Sequence, residues 1–204
     1  MVALAVVGPI CSGKSTVLRA LSGLGAETCN ADDVAKTLTE VGQPALQRVL
    51  AEFGAQYARS DGSLDRAALA KLIFNDRGPR ERLEAILHPA ILEWIAAWLE
   101  NERQGSGPPP VAAVEVLRLP EHLGARRHFD KVWLCRAATE VRLSRLMARD
   151  GLSEPAAKAR MDVQAAQGVE DCDPDLVLGT DGVHEQVIEQ VNEAWQGLLG
   201  RVAK

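Results

Sequence analysis

The sequence has no run of lysine and arginine and no basic tail, and its 204 residues carry a net charge of −5. That speaks against an extended nucleic-acid surface, which needs clustered positive charge; a local basic pocket remains compatible. Cysteine is sparse: Cys11, Cys29, Cys135 and Cys172 are scattered, with no C-x-x-C spacing. This excludes a disulfide framework and a zinc site, and it predicts reduced thiols in a cytoplasmic protein. The opening "MVALAVV" is apolar but short, lacks a basic flank and runs straight into a glycine. It is expected to be neither a signal peptide nor a membrane anchor. No internal repeat is visible. What the chain does have is apolar content, 47%, enough for a sizeable core in one domain or in one domain with an insert.

Strands and helices alternate. "VALAVV" (Val2–Val7) reads as a parallel strand buried on both faces. Further strands are expected at Ala26–Cys29, Val111–Val116, Asp130–Cys135 and Pro174–Gly179. A helix is expected from Lys14 to about Leu21, and helical patterns fill the other intervals. The fold class is therefore α/β with a five-stranded parallel sheet. Residues from about 40 to 104 carry helices only, so 40–104 is expected as a helical insert and 1–39 with 105–204 as the core. Pro89 is expected to kink or split the long helical stretch, and Trp94 and Trp98, with Ile91, Ile95 and Leu99, to form core of the insert.

"GPICSGKST", Gly8 to Thr16, fits G-x-x-x-x-G-K-S/T at every fixed position. A glycine-rich loop between a buried strand and a helix brings backbone N–H groups close to phosphate oxygens, and the helix dipole adds positive potential. Gly8, Pro9, Ile10, Cys11, Ser12, Gly13, Lys14, Ser15 and Thr16 are thus the expected ATP-binding residues. Lys14 would reach the β- and γ-phosphates, and Ser15 would offer its hydroxyl to Mg²⁺.

Ligands of such sheets gather at the carboxyl ends of the strands. Two of those ends carry acids. Asp32 and Asp33 follow the second strand, and Glu115 lies in the third. Transfer of a phosphoryl group to an alcohol needs a proton acceptor at the hydroxyl, and Asp32 is the candidate. Either aspartate also suits the N-cap of the helix that follows, and Asp33 is assigned that part. Glu115 is either a metal ligand or a solvated strand-end charge. The helical pair at 142–168 holds Arg142, Arg145, Arg149 and Arg160. It reads either as a lid that closes over ATP or as an ordinary charged surface.

Taken together, these stretches resemble the dephospho-coenzyme A kinase family over nearly the whole chain. "FGAQYARSDGSLDRAALAKLIFND" is similar to the family's FG…DG-x-LDR segment, "RERLEAILHPAI" to its His-Pro signature, and "RLMARDGLSEPAAKARMDVQ" to its lid. The resemblance implies a P-loop kinase with a helical substrate-binding insert and a helical lid. It implies transfer of the ATP γ-phosphate to the ribose 3′-hydroxyl of a small-molecule acceptor, dephospho-coenzyme A, with Mg²⁺. It implies Asp32 as the base, Lys14 and Arg149 at the transferring phosphate, and Lys36, His88 and Glu115 on the substrate side. Ser15 and Glu115 would hold the metal, and Arg66 matches the LDR arginine. A cytoplasmic monomer or small homo-oligomer is expected, without nucleic-acid or membrane partners. Several positions depart from the family pattern. Pro9 and Cys11 stand where glycines are usual, Asn30 and Lys36 replace an aspartate and an arginine, and "EVLRLPE" alters the third-strand segment. Thr180 stands where the last loop usually has asparagine. These changes leave two alternatives: a kinase of another small alcohol or nucleotide, and a nucleotide-binding protein with little catalysis.

Overall fold

The structure, a computed structural model, describes residues 1–165, 168–169 and 172–202. All five expected strands form: β1 Val2–Val7, β2 Glu27–Asn30, β3 Val111–Glu115, β4 Lys131–Arg136 and β5 Leu176–Gly179. They pair in parallel in the order β2-β3-β1-β4-β5, which places β1 at the centre. Parallel neighbours need long crossovers, and each here contains helix.

The chain divides into two compact units. The first, Met1–Asn30 with Leu99–Lys204, contains the sheet. Ala3 to Val7 are fully buried, as expected for a central strand covered on both faces. Helix α1 (Lys14–Gly23) and the closing helix α8 (His184–Val202) supply Val17, Leu21, Val191 and Trp195 to the core built on Leu4 and Val6. Helices α6 (Thr139–Asp150) and α7 (Glu154–Ala165) form a smaller cluster around Leu146, Ala157 and Met161. Residues 166 and 167 of the expected lid lie outside the described residues.

At the amino end of β5, Asp175 staples three elements. Burial pushes its carboxyl up, but Lys131 at 2.6 Å, the Val132 N–H and Arg126 more than offset this and hold it below the ordinary carboxylate value.

The second unit, Ala31–Trp98, contains α2 (Ala31–Leu38), α3 (Pro44–Phe53), α4 (Arg66–Asn75) and most of α5 (Arg77–Gln104). Leu46, Val49, Phe53, Leu64 and Leu69 form its core. Asp65 caps α4 by accepting from the Ala68 N–H at 3.0 Å. Two expectations are corrected here. Helix α5 runs through Pro89 as one element, so the proline does not split it. Trp94 is 36% exposed, while Ile95 and Leu99 are 1% exposed. Neighbouring helical positions lie about 100° apart, so a stripe through 95 and 99 turns Trp94 toward the surface.

Arg66 closes α2. Its guanidinium donates to the Lys36 carbonyl at 3.0 Å and to the Thr39 hydroxyl at 2.6 Å. The Lys36 carbonyl also accepts from the Thr39 N–H at 3.1 Å, and the guanidinium adds a side-chain donor at this last turn, acting as a C-terminal cap. Arg66→Ala is expected to cost about 1 kcal/mol of stability with ATP affinity unchanged. Denaturant melts and nucleotide titration check it, and an unchanged melt would refute the capping role. No helix among the described residues is long and apolar enough to cross a membrane.

Candidate active site

β1 delivers the chain into the Gly8–Ser12 loop at the carboxyl edge of the sheet, and α1 begins at Lys14. Two glycines are forced by space and backbone. Gly8 has φ 149°, and a Cβ there would sit 2.5 Å from the Cys135 carbonyl and 2.6 Å from Ser12 Oγ. Gly13 has φ 86°, and a Cβ would meet Thr180 at 3.1 Å. The Ser12 N–H donates to the Pro9 carbonyl at 3.2 Å and closes the turn. Cys11 sits in the left-handed region at φ 58°, a conformation that disfavours every residue with a Cβ except in special settings.

Lys14 Nζ donates back to the carbonyls of Gly8 at 2.8 Å and Pro9 at 3.1 Å, so the ammonium lies along the loop. Ser15 Oγ donates to Glu115 Oε1 at 3.1 Å. Glu115 is the last residue of β3, pairs in register with Val6 of β1 and Asn30 of β2, and is 9% exposed. It is therefore not a solvated strand-end charge. A hydroxyl beside a buried carboxylate is a hard-oxygen pair suited to Mg²⁺. That ion is usually held by one or two protein oxygens, waters and substrate phosphates rather than by an all-protein cage. Among the described residues no three His, Cys, Asp or Glu side chains lie grouped as metal ligands. Cys135, behind the loop, has its thiol pushed up to about 12, chiefly by burial, with Glu115 adding and Lys14 opposing. It stays a neutral packing group.

Thr180 follows β5 and is fully enclosed, at 1% exposure. Its hydroxyl reaches the Ser12 carbonyl at 2.7 Å, which ties the last loop to the phosphate loop. The helical pair also reaches the phosphate loop. Arg145 donates to the Thr180 carbonyl at 2.6 Å and to the Cys11 carbonyl at 3.4 Å, and the Ile10 N–H donates to Gln164 Oε1 of α7. Arg149, at the end of α6, grips both oxygens of Asp150 (2.7 and 3.0 Å), and Arg160 of α7 donates to the same carboxylate at 2.7 Å. The Arg149 bonds, above all, hold Asp150 below its ordinary value and Arg149 above its own. The plain charged-surface reading of these helices therefore fails for Arg145, which is engaged with the loop. The contacts of Arg145, Gln164 and Thr180 with the loop are tertiary and carry no local sequence signal.

Asp32, Lys36 and His88 belong to the second unit. Asp32 lies exposed in the first turn of α2, two residues beyond β2. Asp33 is not the helix cap: α2 begins at Ala31, and the Asp33 carboxylate takes the Lys36 ammonium at 2.6 Å. His88 is half-buried within α5.

A dephospho-CoA kinase family model matches residues 2–186. A dephospho-CoA kinase of Moorella thermoacetica is 39% identical over 203 residues, covering 100% of this chain and 95% of that protein. A dephospho-CoA kinase of Frankia casuarinae is 39% identical, covering 98% of this chain and 85% of that protein. Among solved structures, a Thermus thermophilus protein superposes with a TM-score of 0.74 at 29% identity, covering 97% of both chains.

Proposed function

The chain belongs to the dephospho-CoA kinase family and phosphorylates dephospho-coenzyme A with ATP, and we propose that Lys14, Ser15, Asp32, Glu115 and Arg149 divide the work of that transfer. The acceptor oxygen is the ribose 3′-hydroxyl. Backbone N–H groups of the loop and Lys14 bind the β- and γ-phosphates. Ser15 and Glu115 would hold Mg²⁺, which would neutralise phosphate charge when bound. Asp32 takes the hydroxyl proton as the 3′-oxygen forms its bond to the γ-phosphorus. The bond from that phosphorus to the β–γ bridging oxygen breaks, and ADP leaves. Arg149 exchanges one of its Asp150 contacts for the migrating phosphoryl group. Lys36 and His88 contribute to the acceptor's binding. The supporting observation is the Ser15–Glu115 pair, a buried carboxylate set beside the Lys14 loop.

The chemistry places this protein among small-molecule enzymes. We assign it to the cytoplasm, as a monomer or small homo-oligomer, where its four scattered cysteines stay reduced.

The decisive assay is coupled ADP release with ATP and Mg²⁺, dephospho-coenzyme A being run beside nucleosides, nucleoside monophosphates and small sugar acids. Fast release with dephospho-coenzyme A alone is expected. Silence with it beside a signal elsewhere on the panel would overturn the acceptor.

A further inference from the structure

The phosphate loop carries a conformational burden at its tip. Cys11 holds φ 58°, where a Cβ is disfavoured and glycine is not. Pro9, two residues earlier, has no N–H and contributes no donor of its own to the turn. Something outside the loop must hold Ile10 and Cys11 in place, and the helical pair supplies it on three sides. The Ile10 N–H, immediately before the strained residue, donates to Gln164 Oε1. The Cys11 carbonyl, immediately after it, accepts from Arg145 at 3.4 Å, and that guanidinium is itself anchored on the Thr180 carbonyl at 2.6 Å. The side chains of Ile10 and Cys11 pack against Leu146, Ala157 and Met161.

We propose that Gln164 and Arg145 are positioning residues that strap the loop tip to the lid helices and hold Cys11 in the left-handed conformation that ATP binding requires. Neither acts on a reacting atom. Each works through the backbone of Ile10–Cys11. The inference rests on the reading that this loop holds ATP. Its distinctive consequence is that the strap matters because position 11 is not glycine. Without the strap, the competent loop becomes a minor conformer, and apparent affinity falls by the fraction still competent.

The test is a two-by-two set: wild type, Gln164→Ala, Cys11→Gly and the double variant. MgATP affinity is read by calorimetry and thermal stability by melting. Gln164 is half-buried near the end of α7, so its truncation leaves the fold standing. Gln164→Ala is expected to weaken ATP binding ~3–10-fold. In the Cys11→Gly background the same truncation is expected to change it less than ~2-fold, because glycine enters the left-handed region unaided.

An equal penalty in both backgrounds would overturn the inference, as would a lowered melting temperature with unchanged ATP affinity. Tighter ATP binding by Gln164→Ala would also overturn it, since Gln164 would then be competing with phosphate for the Ile10 N–H. Wild type and Lys14→Ala separate the two levels. If wild type binds no ATP, the nucleotide reading falls and takes this one with it. If wild type binds, Lys14→Ala does not, and Gln164→Ala matches wild type, the strap alone is wrong.

Discussion

Lys14→Ala is expected to lower turnover ~10²–10³-fold, the scale on which a preorganised charge at a transferring group acts. The side chain already lies inside the loop, with its ammonium shared between the Gly8 and Pro9 carbonyls at 2.8 and 3.1 Å. Those carbonyls are neutral, whereas a triphosphate is multiply anionic and displaces them as the preferred acceptor. The fold loses little by the truncation, because the loop's turn is closed by the Ser12 N–H on Pro9 and pinned by Thr180 on Ser12. A steep fall in ADP formation with a nearly unchanged melting temperature is therefore the expected signature. Lys14→Arg is expected to recover little, since a planar guanidinium cannot replace a compact ammonium in so narrow a loop. ADP formation by the alanine variant near the wild-type rate would sink the phosphate-loop assignment.

The parts that the amino-acid pattern revealed share a physical cause. The inner strands β1, β3 and β4 are buried on both faces, so they appear as apolar runs, while the edge strands β2 and β5 are more exposed. The five expected segments fall within one or two residues of the strands. The glycine-lysine loop shows itself because its backbone demands are local: Gly8 and Gly13 hold φ 149° and 86°, values that favour glycine. What stayed hidden depends on partners distant in sequence. Nothing near position 115 says whether that carboxylate faces water; its hydroxyl partner, Ser15, lies 100 residues away in sequence. Arg145 reads as one of several arginines at surface spacing, yet it bonds to carbonyls 134 and 35 residues away. Arg66 is similar to a family signature, but its cap on α2 emerges only once α2 and α4 are packed in one unit. Trp94 misled because periodicity gives the spacing of a buried stripe more firmly than its centre. Thr180, read only as a departure from the family pattern, is enclosed and bonded to the phosphate loop.

Asp32→Asn is the change with the largest expected effect on rate. Asparagine keeps the size of the side chain and is as good as aspartate at a helix start, so α2 keeps its first turn. What it loses is the ability to accept a proton. An oriented base contributes ~10²–10⁴-fold, and kcat is expected to fall by that factor while ATP affinity, set by the loop of the other unit, holds. Asp32 suits the assignment because it is exposed in the first turn of α2, just beyond the carboxyl end of β2; its neighbour Asp33 takes the Lys36 ammonium at 2.6 Å. Asp33→Asn is the internal comparison. It releases an exposed ion pair, a contact worth little in water, and so it is expected to move kcat far less than Asp32→Asn does. Single-turnover ADP formation on both variants, with MgATP affinity measured in parallel, decides between base and helix start. If Asp32→Asn turns over within a few-fold of wild type, the carboxylate serves only the first turn of α2 and the proton must leave by another route. A deep loss of rate at intact ATP affinity, confined to position 32, is the result that only an acceptor-side base produces.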